Sequence, residues 1–164
     1  MDTEISICEY CIEQVIQHED ASGKGVVIND SGGKTRWGIS QRSYPTLNIS
    51  SLTKQDAINI YKVDFWDVIH ASELLNKDVA LKMLDISVNM GKIAAIKLFQ
   101  RVLGINDDGV IGPDTIKHIN DSDPQELLKN VRDAQKAHYT YLAQKHPARY
   151  KRYLNGWIRR AELC

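Results

Sequence analysis

The chain has 164 residues, and its 21 Lys and Arg residues balance its 21 Asp and Glu residues, so the net charge with neutral histidines is zero. A balanced charge argues against a general nucleic-acid-binding protein, because such proteins usually carry a basic excess. The 43% hydrophobic content is ordinary for a globular protein. No apolar run approaches the roughly 18 residues of a membrane span. We therefore expect one globular domain, a monomer, without a membrane span.

The N-terminal segment, MDTEISICEYCIEQ, is acidic and lacks the basic region, apolar core and cleavage site of a signal peptide. We therefore expect synthesis in the cytoplasm without a signal peptide. Cys8 and Cys11 form a C-x-x-C pair, but no second pair completes a zinc site. We predict buried or half-buried thiols on a helix, with a redox motif as the alternative.

Apolar residues at steps of three and four predict an amphipathic helix that ends near Glu19. These residues are Ile5, Cys8, Ile12, Val15 and Ile16. Residues 20–50 are polar and rich in glycine, which predicts a loop. Within this loop, VVI at 26–28 could form one strand of a small hairpin.

The rest of the chain predicts a series of helices. Their sequences include SLTKQDAINIYKVDFW, NKDVALKMLDISVNMG, KIAAIKLFQRVLG and DPQELLKNVRDAQKAHYTYLAQKH. An N-cap threonine, glycines after a last turn and prolines in a first turn mark helix ends. These residues are Thr53, Gly91, Gly104, Pro113 and Pro124. The sequence therefore predicts a mainly α protein with one irregular, polar excursion near its N-terminus.

Two carboxylates near this excursion are candidates for chemistry. Glu19 ends a predicted helix, where the negative end of the helix dipole favours the protonated carboxyl group. Asp30 follows eleven residues later among glycines and hydroxyls, where Thr35 could position a water molecule and Gly33 allows close approach of a ligand. Two carboxylates in unlike environments are what glycoside hydrolysis requires. The alternative is a solvated helix end followed by an ordinary Asp-Ser-Gly-Gly turn.

The segment DSGGKTRWGIS resembles the Asp-x-Gly-Gly-x-Thr-x-x-Gly-Ile motif of the glycosyl hydrolase 108 family of N-acetylmuramidases, which includes phage and prophage endolysins. The similarity continues through Tyr44 and Pro45, through LTKQDAINIYKVDFW and through LDISVNMGKIAAIKLFQRVLG. The segments DGVIGPDT and YLNGWIRR resemble a peptidoglycan-binding second half. The resemblance covers nearly the whole chain in order.

This resemblance implies a mainly α, lysozyme-like helical fold with a small loop or β-hairpin excursion, in one domain with a catalytic lobe (1–90) and a peptidoglycan-binding-like lobe (91–164). It implies cleavage of the β-1,4 bond between N-acetylmuramic acid and N-acetylglucosamine in peptidoglycan glycan strands, with no cofactor and no metal. Access to the cell wall or periplasm would follow release by a holin or a secretion system. The implied catalytic residues are Glu19 as general acid, with Asp30 and Thr35. The candidate substrate-binding residues are Gly33, Trp37, Tyr44 and Asn89.

One departure from the family motif concerns the residues after Glu19. The family places two glycines and an aromatic residue there, whereas this chain has Asp20 and Ala21. This difference supports an alternative function, a catalytically weak or inactive cell-wall-binding or secretion-accessory protein of the same fold.

Polar residues in the second half have more than one interpretation. Asp85 and Asn89 are four apart and share a helix face, so they could contact a sugar or form a buried hydrogen-bonded scaffold. The NDDGVIG segment lacks the remaining ligands of a calcium loop and predicts a turn.

Between Lys136 and Arg160 there are seven Lys and Arg residues and no Asp or Glu. Aromatic residues are interleaved with them: Tyr139, Tyr141, Tyr150, Tyr153 and Trp157. Such a segment could bind nucleic acid or an anionic cell-wall polymer, or could be a solvated helix face with its aromatics in the core. The neutral net charge makes us expect no nucleic acid partner.

Overall fold

The computed structural model describes residues 6–164, so Ile5 of the predicted helical stripe lies outside the described residues. The chain divides into two compact units, one up to Val68 and one from Ile69 onwards. The predicted division into lobes at residue 90 stays a prediction. The mainly α fold with a small antiparallel sheet near the N-terminus is confirmed.

The first unit begins with α1 (Ile7–Glu19), whose N-cap residue Ser6 accepts a hydrogen bond from the Glu9 amide at 3.2 Å. Ile12, Val15 and Ile16 of the predicted apolar stripe are buried, and Cys11, which the stripe did not include, is buried beside them. Cys8 is half-buried and Cys11 is buried, and both are free thiols, as expected for helix-packing cysteines.

The polar excursion folds into a three-stranded antiparallel sheet of β1 (Ile28–Asp30), β2 (Gly33–Arg36) and β3 (Ile39–Ser40). Ile28 pairs with Thr35, Asp30 pairs with Gly33, and Arg36 pairs with Ile39. Each pair of strands is therefore joined by a two-residue turn. The predicted hairpin is confirmed, with its first strand shifted to Ile28–Asp30.

After a loop, α2 (Lys54–Tyr61) begins at Thr53, the predicted N-cap. Thr53 and Asp56 form a capping box: the threonine hydroxyl accepts from the Asp56 amide at 3.1 Å, and the Asp56 carboxylate accepts from the Thr53 amide at 2.9 Å. The helix continues as a π-turn over Lys62–Trp66, where the Asp67 amide donates to the Lys62 carbonyl. This turn places Trp66, which is 2% exposed, in the core of the unit.

The second unit contains α3 (Lys77–Met90), α4 (Lys92–Leu103), α5 (Pro113–Asp121) and α6 (Pro124–Lys145), followed by α7 (Pro147–Tyr150) and α8 (Leu154–Glu162). The predicted helix ends are confirmed at Gly91 and Gly104, which have positive φ angles of 97° and 69°. Pro113 and Pro124 occupy first turns as predicted.

The NDDGVIG segment is a turn organised by Gln100, which is 1% exposed. The Gln100 side-chain amide donates to the Asp108 carboxylate, the Val110 carbonyl and the Thr115 hydroxyl at 2.9, 3.0 and 3.2 Å. Its carbonyl oxygen accepts from the Gly109 amide at 2.9 Å. One buried side chain therefore bonds to Asp108, Gly109 and Val110 of the turn and to Thr115 of the following helix.

Asp85 of α3 is fully buried and pairs with Arg160 of α8. The guanidinium Nε donates to both carboxylate oxygens, at 3.0 and 3.2 Å, and Nη2 lies 2.8 Å from Oδ1. Lys82, one turn earlier, is also buried and donates to the Ala161 carbonyl at 2.7 Å. Burial lowers the pKa of Lys82. For Asp85, the structure therefore supports the scaffold interpretation, because this pair fastens α8 to α3.

Candidate active site

Glu19 is the last residue of α1, and its side chain is partly exposed. The backbone of Gly38 lies against the stem of this side chain. A Cβ atom built at Gly38 would lie 2.7 Å from Cβ and 2.9 Å from Cγ of Glu19, well inside the roughly 3.5–4.0 Å of normal carbon contact. Only glycine fits here, so the turn between β2 and β3 is held directly against the candidate acid.

The Tyr61 hydroxyl lies at the same point of close approach. It would lie 2.3 Å from a Cβ at Gly38, and it donates a hydrogen bond to the Trp37 carbonyl at 3.1 Å. Tyr61 is 1% exposed. Thus Glu19 of α1 and Tyr61 of α2 both contact the same turn.

Trp37 and Gly38 form the turn itself, and both have positive φ angles, of 54° and 78°. Two consecutive residues with positive φ between paired strands are the signature of a type I′ turn. A left-handed conformation is unusual for a bulky residue and costs roughly 1–2 kcal/mol. Contacts of the Trp37 side chain and carbonyl compensate for this strain.

The indole ring of Trp37 lies on Gly25, where a Cβ atom would lie 2.2 Å from two ring atoms. Its Nε1 donates to the Leu52 carbonyl at 3.2 Å. These contacts give Trp37 a structural role in the first unit. Its predicted role in substrate binding stays a prediction.

Asp30 lies at the exposed end of β1, where Oδ1 accepts from the Gly32 amide at 2.8 Å. Directly paired residues of antiparallel strands point to the same face, and so do residues two apart on one strand. Asp30 pairs with Gly33 and Thr35 follows two residues later, so Asp30 and Thr35 share a face. Gly33 adds no side chain to that face between them. The sheet therefore brings together three of the predicted site residues, Asp30, Gly33 and Thr35.

Asp20 organises the loop after α1. Its Oδ1 accepts from the Ser22 hydroxyl and amide at 2.5 and 3.1 Å, and its Oδ2 accepts from the Gly25 amide at 2.8 Å. These hydrogen bonds, that of the Ser22 hydroxyl above all, lower the pKa of Asp20. The departure from the family motif thus has a structural role.

The contacts of Asp20 complete a ring of contacts that begins and ends at the neighbouring residues Glu19 and Asp20. Asp20 binds Gly25, Gly25 packs under Trp37, and the Trp37–Gly38 turn packs on Glu19. Arg36 reinforces this ring of contacts, because its Nε donates to the Gly25 carbonyl at 2.6 Å. The loop and the sheet therefore form one support for the candidate acid.

Tyr44 is half-buried, and its hydroxyl donates to the Asp64 carboxylate at 2.6 Å. Burial, followed by this hydrogen bond, raises the pKa of Tyr44. The Gln41 side-chain amide donates to the carbonyls of Tyr44, Pro45 and Leu47 at 2.9–3.0 Å. These bonds fix the Tyr44 backbone and hydroxyl. Substrate binding by Tyr44 stays a prediction.

Asn89 belongs to the second unit, where its side-chain amide donates to the Tyr139 hydroxyl. Its predicted contact with substrate stays a prediction.

Sequence reasoning missed Tyr61, Gly25 and Gln41, whose roles depend on contacts between segments distant in the chain. Gly38 stood in the quoted motif, and its position beside an aromatic residue was the available signal for a tight turn.

Residues 12–91 match the model of the family described as Glycosyl hydrolase 108, and residues 94–162 match that of the Predicted Peptidoglycan domain. Residues 12–91 thus belong to the glycosyl hydrolase 108 family. Its structure is similar to the "Structure of Brucella abortus SagA", with a TM-score of 0.69 over 94% of this chain and 95% of that one. At 22% identity, this likeness establishes the fold alone. A search of curated proteins returned no match.

Membership of the glycosyl hydrolase 108 family, together with the peptidoglycan domain, supports a glycoside hydrolase that acts on peptidoglycan. The Asp30–Ile39 motif and Glu19 all lie inside the region matched by the hydrolase model. Within residues 6–164, no helix combines the length and apolarity needed to cross a bilayer.

Proposed function

We propose that this protein is an N-acetylmuramidase that cleaves the β-1,4 bond between N-acetylmuramic acid and N-acetylglucosamine. The observation that carries the proposal is the close approach of Gly38 to the stem of Glu19. This approach ties the strand that bears Thr35, and that pairs with Asp30, to the base of the candidate acid. A general acid requires such fixed positioning, because misplacement by about 1 Å can cost 10²-fold in rate.

In the proposed mechanism, Glu19 donates its proton to the bridging oxygen while positive charge develops on the sugar ring. Asp30, on the exposed face of the sheet, stabilises that charge or orients the incoming water. Thr35, on the same face, holds the water through its hydroxyl. This substrate lies outside the cytoplasmic membrane, so the proposal includes release by a holin or a secretion system.

The first test is clearing of a purified peptidoglycan suspension by wild type and by Glu19→Gln. Glutamine keeps the shape of the side chain but has no acidic proton, so the rate should fall by about 10²–10⁴-fold. Glu9→Gln is the matched control, because Glu9 is an exposed glutamate of the same helix. Its clearing rate should equal that of the wild type.

Equal clearing by wild type and Glu19→Gln would rule out the assigned acid. Absence of clearing by either would favour the alternative, a cell-wall-binding or secretion-accessory protein. The bond specificity has its own readout: reduction of the products with borohydride should convert muramic acid, and not glucosamine, to its alditol. Glucosaminitol at the new ends would contradict muramidase activity.

A further inference from the structure

The second unit contains a cavity of about 230 Å³ lined mainly by aromatic and apolar side chains. Its wall combines residues from α3, α4, α6, α7 and α8 with the amide of Asn89. The other lining residues are Met90, Ala94, His138, Tyr139, Leu142, Tyr150 and Trp157. Burial, and then the charge of Arg101, lowers the pKa of His138, so the imidazole is neutral at pH 7 and offers one donor and one acceptor.

Three tyrosines surround Trp157. The ring centroids of Tyr139, Tyr150 and Tyr153 lie 5.1, 5.5 and 5.9 Å from that of Trp157. Tyr139 is 4% exposed, whereas Tyr153 is 45% exposed. The cluster therefore extends from the cavity wall to the surface, and aromatic side chains are the usual lining of sites for small ligands.

Cationic side chains adjoin this cluster. The guanidinium carbon of Arg149 lies 5.1 Å from the centroid of Tyr150, and that of Arg152 lies 4.7 Å from the centroid of Tyr153. Among residues 6–164, neither arginine has a carboxylate partner within ion-pair distance. Arg149 thus contacts a tyrosine that lines the cavity, and Arg152 contacts a tyrosine stacked on Trp157, which also lines it.

We propose that this cavity is a glycan subsite that binds one N-acetylated sugar of peptidoglycan, with carboxylates of the attached peptide on Arg149 and Arg152. The proposal rests on the proposed function, since it takes peptidoglycan as the ligand. It gives Asn89 a location for sugar binding in the second unit. The side-chain amide of Asn89 and the imidazole of His138 provide the polar groups that fix a sugar in an otherwise apolar site.

The volume sets the size of the ligand. Sites for drug-sized molecules measure roughly 300–1,000 Å³, so this cavity suits one sugar ring and its acetamido group. The positive charge of the two exposed arginines attracts an anionic ligand in preference to a neutral glycan. A peptide-substituted muramic acid carries both the sugar and the carboxylates.

The test measures binding to purified sacculi by co-sedimentation, with every variant made in a Glu19→Gln background to prevent digestion. Trp157→Ala should weaken binding roughly tenfold or more, the size of effect seen when a central aromatic anchor is removed. Arg149→Gln with Arg152→Gln should weaken it about threefold to fivefold, and less at high salt. A soluble disaccharide–peptide fragment of peptidoglycan should compete.

Two controls match these changes. Tyr141→Ala removes a tyrosine that is 53% exposed and does not line the cavity. Lys117→Gln with Lys129→Gln removes two exposed positive charges elsewhere on the second unit. Both controls should bind like the parent. Circular dichroism checks the fold of Trp157→Ala, and the exposed arginine pair decides the outcome if that variant is unfolded.

The proposal is overturned if the arginine pair binds sacculi like the parent, or if the lysine control weakens binding equally. Competition by duplex DNA as effective as that of the peptidoglycan fragment would also overturn it, in favour of a nucleic-acid surface. Binding is measured without turnover. If Glu19→Gln still clears peptidoglycan, binding is measured to the N-acetylglucosamine–N-acetylmuramic acid–peptide fragment instead. That fragment contains no bond from muramic acid to glucosamine, so the result stays separate from the Glu19 assignment.

Discussion

At the scale of single residues, the environment of Glu19 depends on side chains whose importance the sequence does not display. The sequence identified Glu19, Asp30 and Thr35 as candidates, and the pairing of β1 with β2 explains how two of them share a face. From the sequence, Asp20 is a departure from the family motif that predicts weak or absent activity. The structure instead gives it three hydrogen bonds in the loop that supports Trp37.

Asp20→Asn tests that role through its pH dependence. The pKa of Asp20 is lowered in the folded state, so its stabilisation is complete above the ordinary value of 3.8 and is lost as the pH falls through the lower folded pKa. At pH 7 the variant should melt about 2–4 °C below the wild type, the shift expected for loss of about one net hydrogen bond.

Thermal melts of both proteins between pH 7 and pH 3 check this prediction, and the difference in Tm should narrow below pH 4. A difference in Tm that stays constant over that range would show that the charge of Asp20 does not contribute.

Gly38→Ala tests the close approach to Glu19. The added methyl group would overlap the Tyr61 hydroxyl and the Glu19 stem, so we expect a loss of roughly 2 kcal/mol or more in stability. Clearing activity should fall by more than the change in folded fraction explains, because Glu19 would be displaced.

The control for Gly38→Ala is Gly104→Ala, which has a similar positive φ of 69° but open space around the new methyl group. It carries the backbone strain without the collision. Urea denaturation and peptidoglycan clearing should therefore show a smaller effect on stability and none on activity. Equal losses of stability in the two variants would contradict the steric argument.

At the scale of secondary structure elements, the sequence predicted most boundaries correctly, because capping is a local property. Thr53, Gly91, Gly104 and Pro113 all occupy the helix ends that their chemistry indicated. The π-turn after α2 was not predictable, since its extra residue is accommodated by tertiary packing of Trp66. The turn around Gln100 was predicted as a turn, but not the buried amide that organises it.

Gln100→Leu should destabilise the second unit by at least about 2 kcal/mol, because it leaves the Gly109 amide and the Thr115 hydroxyl without their buried partner. Hydrogen exchange of residues 105–112 should accelerate before the helices are affected. Gln55→Leu, which changes an exposed glutamine of α2, should leave this exchange unchanged. Unaltered protection of the turn in Gln100→Leu would remove Gln100 from its organising role.

At the scale of the whole molecule, the resemblance predicted the family and the mainly α fold, and both are confirmed. The resemblance rested on short motifs that recur in order along the chain, and so it could not give the contacts between distant segments. Asp85 illustrates this limit. Its place on a predicted helix was clear from the sequence, but its partner Arg160 lies 75 residues away.

Arg160→Ala should therefore destabilise the protein by about 3–5 kcal/mol, because it leaves the fully buried carboxylate of Asp85 without its counter-charge. Urea denaturation at pH 7 measures the change. Arg159→Ala is the matched control, since Arg159 is an exposed neighbour on the same helix, and it should remain within about 0.5 kcal/mol of wild type. Similar losses in both variants would contradict a specific role for the buried pair.

The π-turn at Lys62–Trp66 also has an evolutionary consequence. Such a turn holds one residue more than regular α-helical geometry requires, so it behaves as a single-codon insertion tolerated within a helix. Deleting that codon would rotate everything beyond it by about 100° and carry Trp66 out of the core. Homologous genes that lack the extra codon should therefore encode different residues at both positions, the equivalent of Trp66 and the equivalent of Tyr44. Tyr44 is affected because its hydrogen-bond partner Asp64 lies within the same turn.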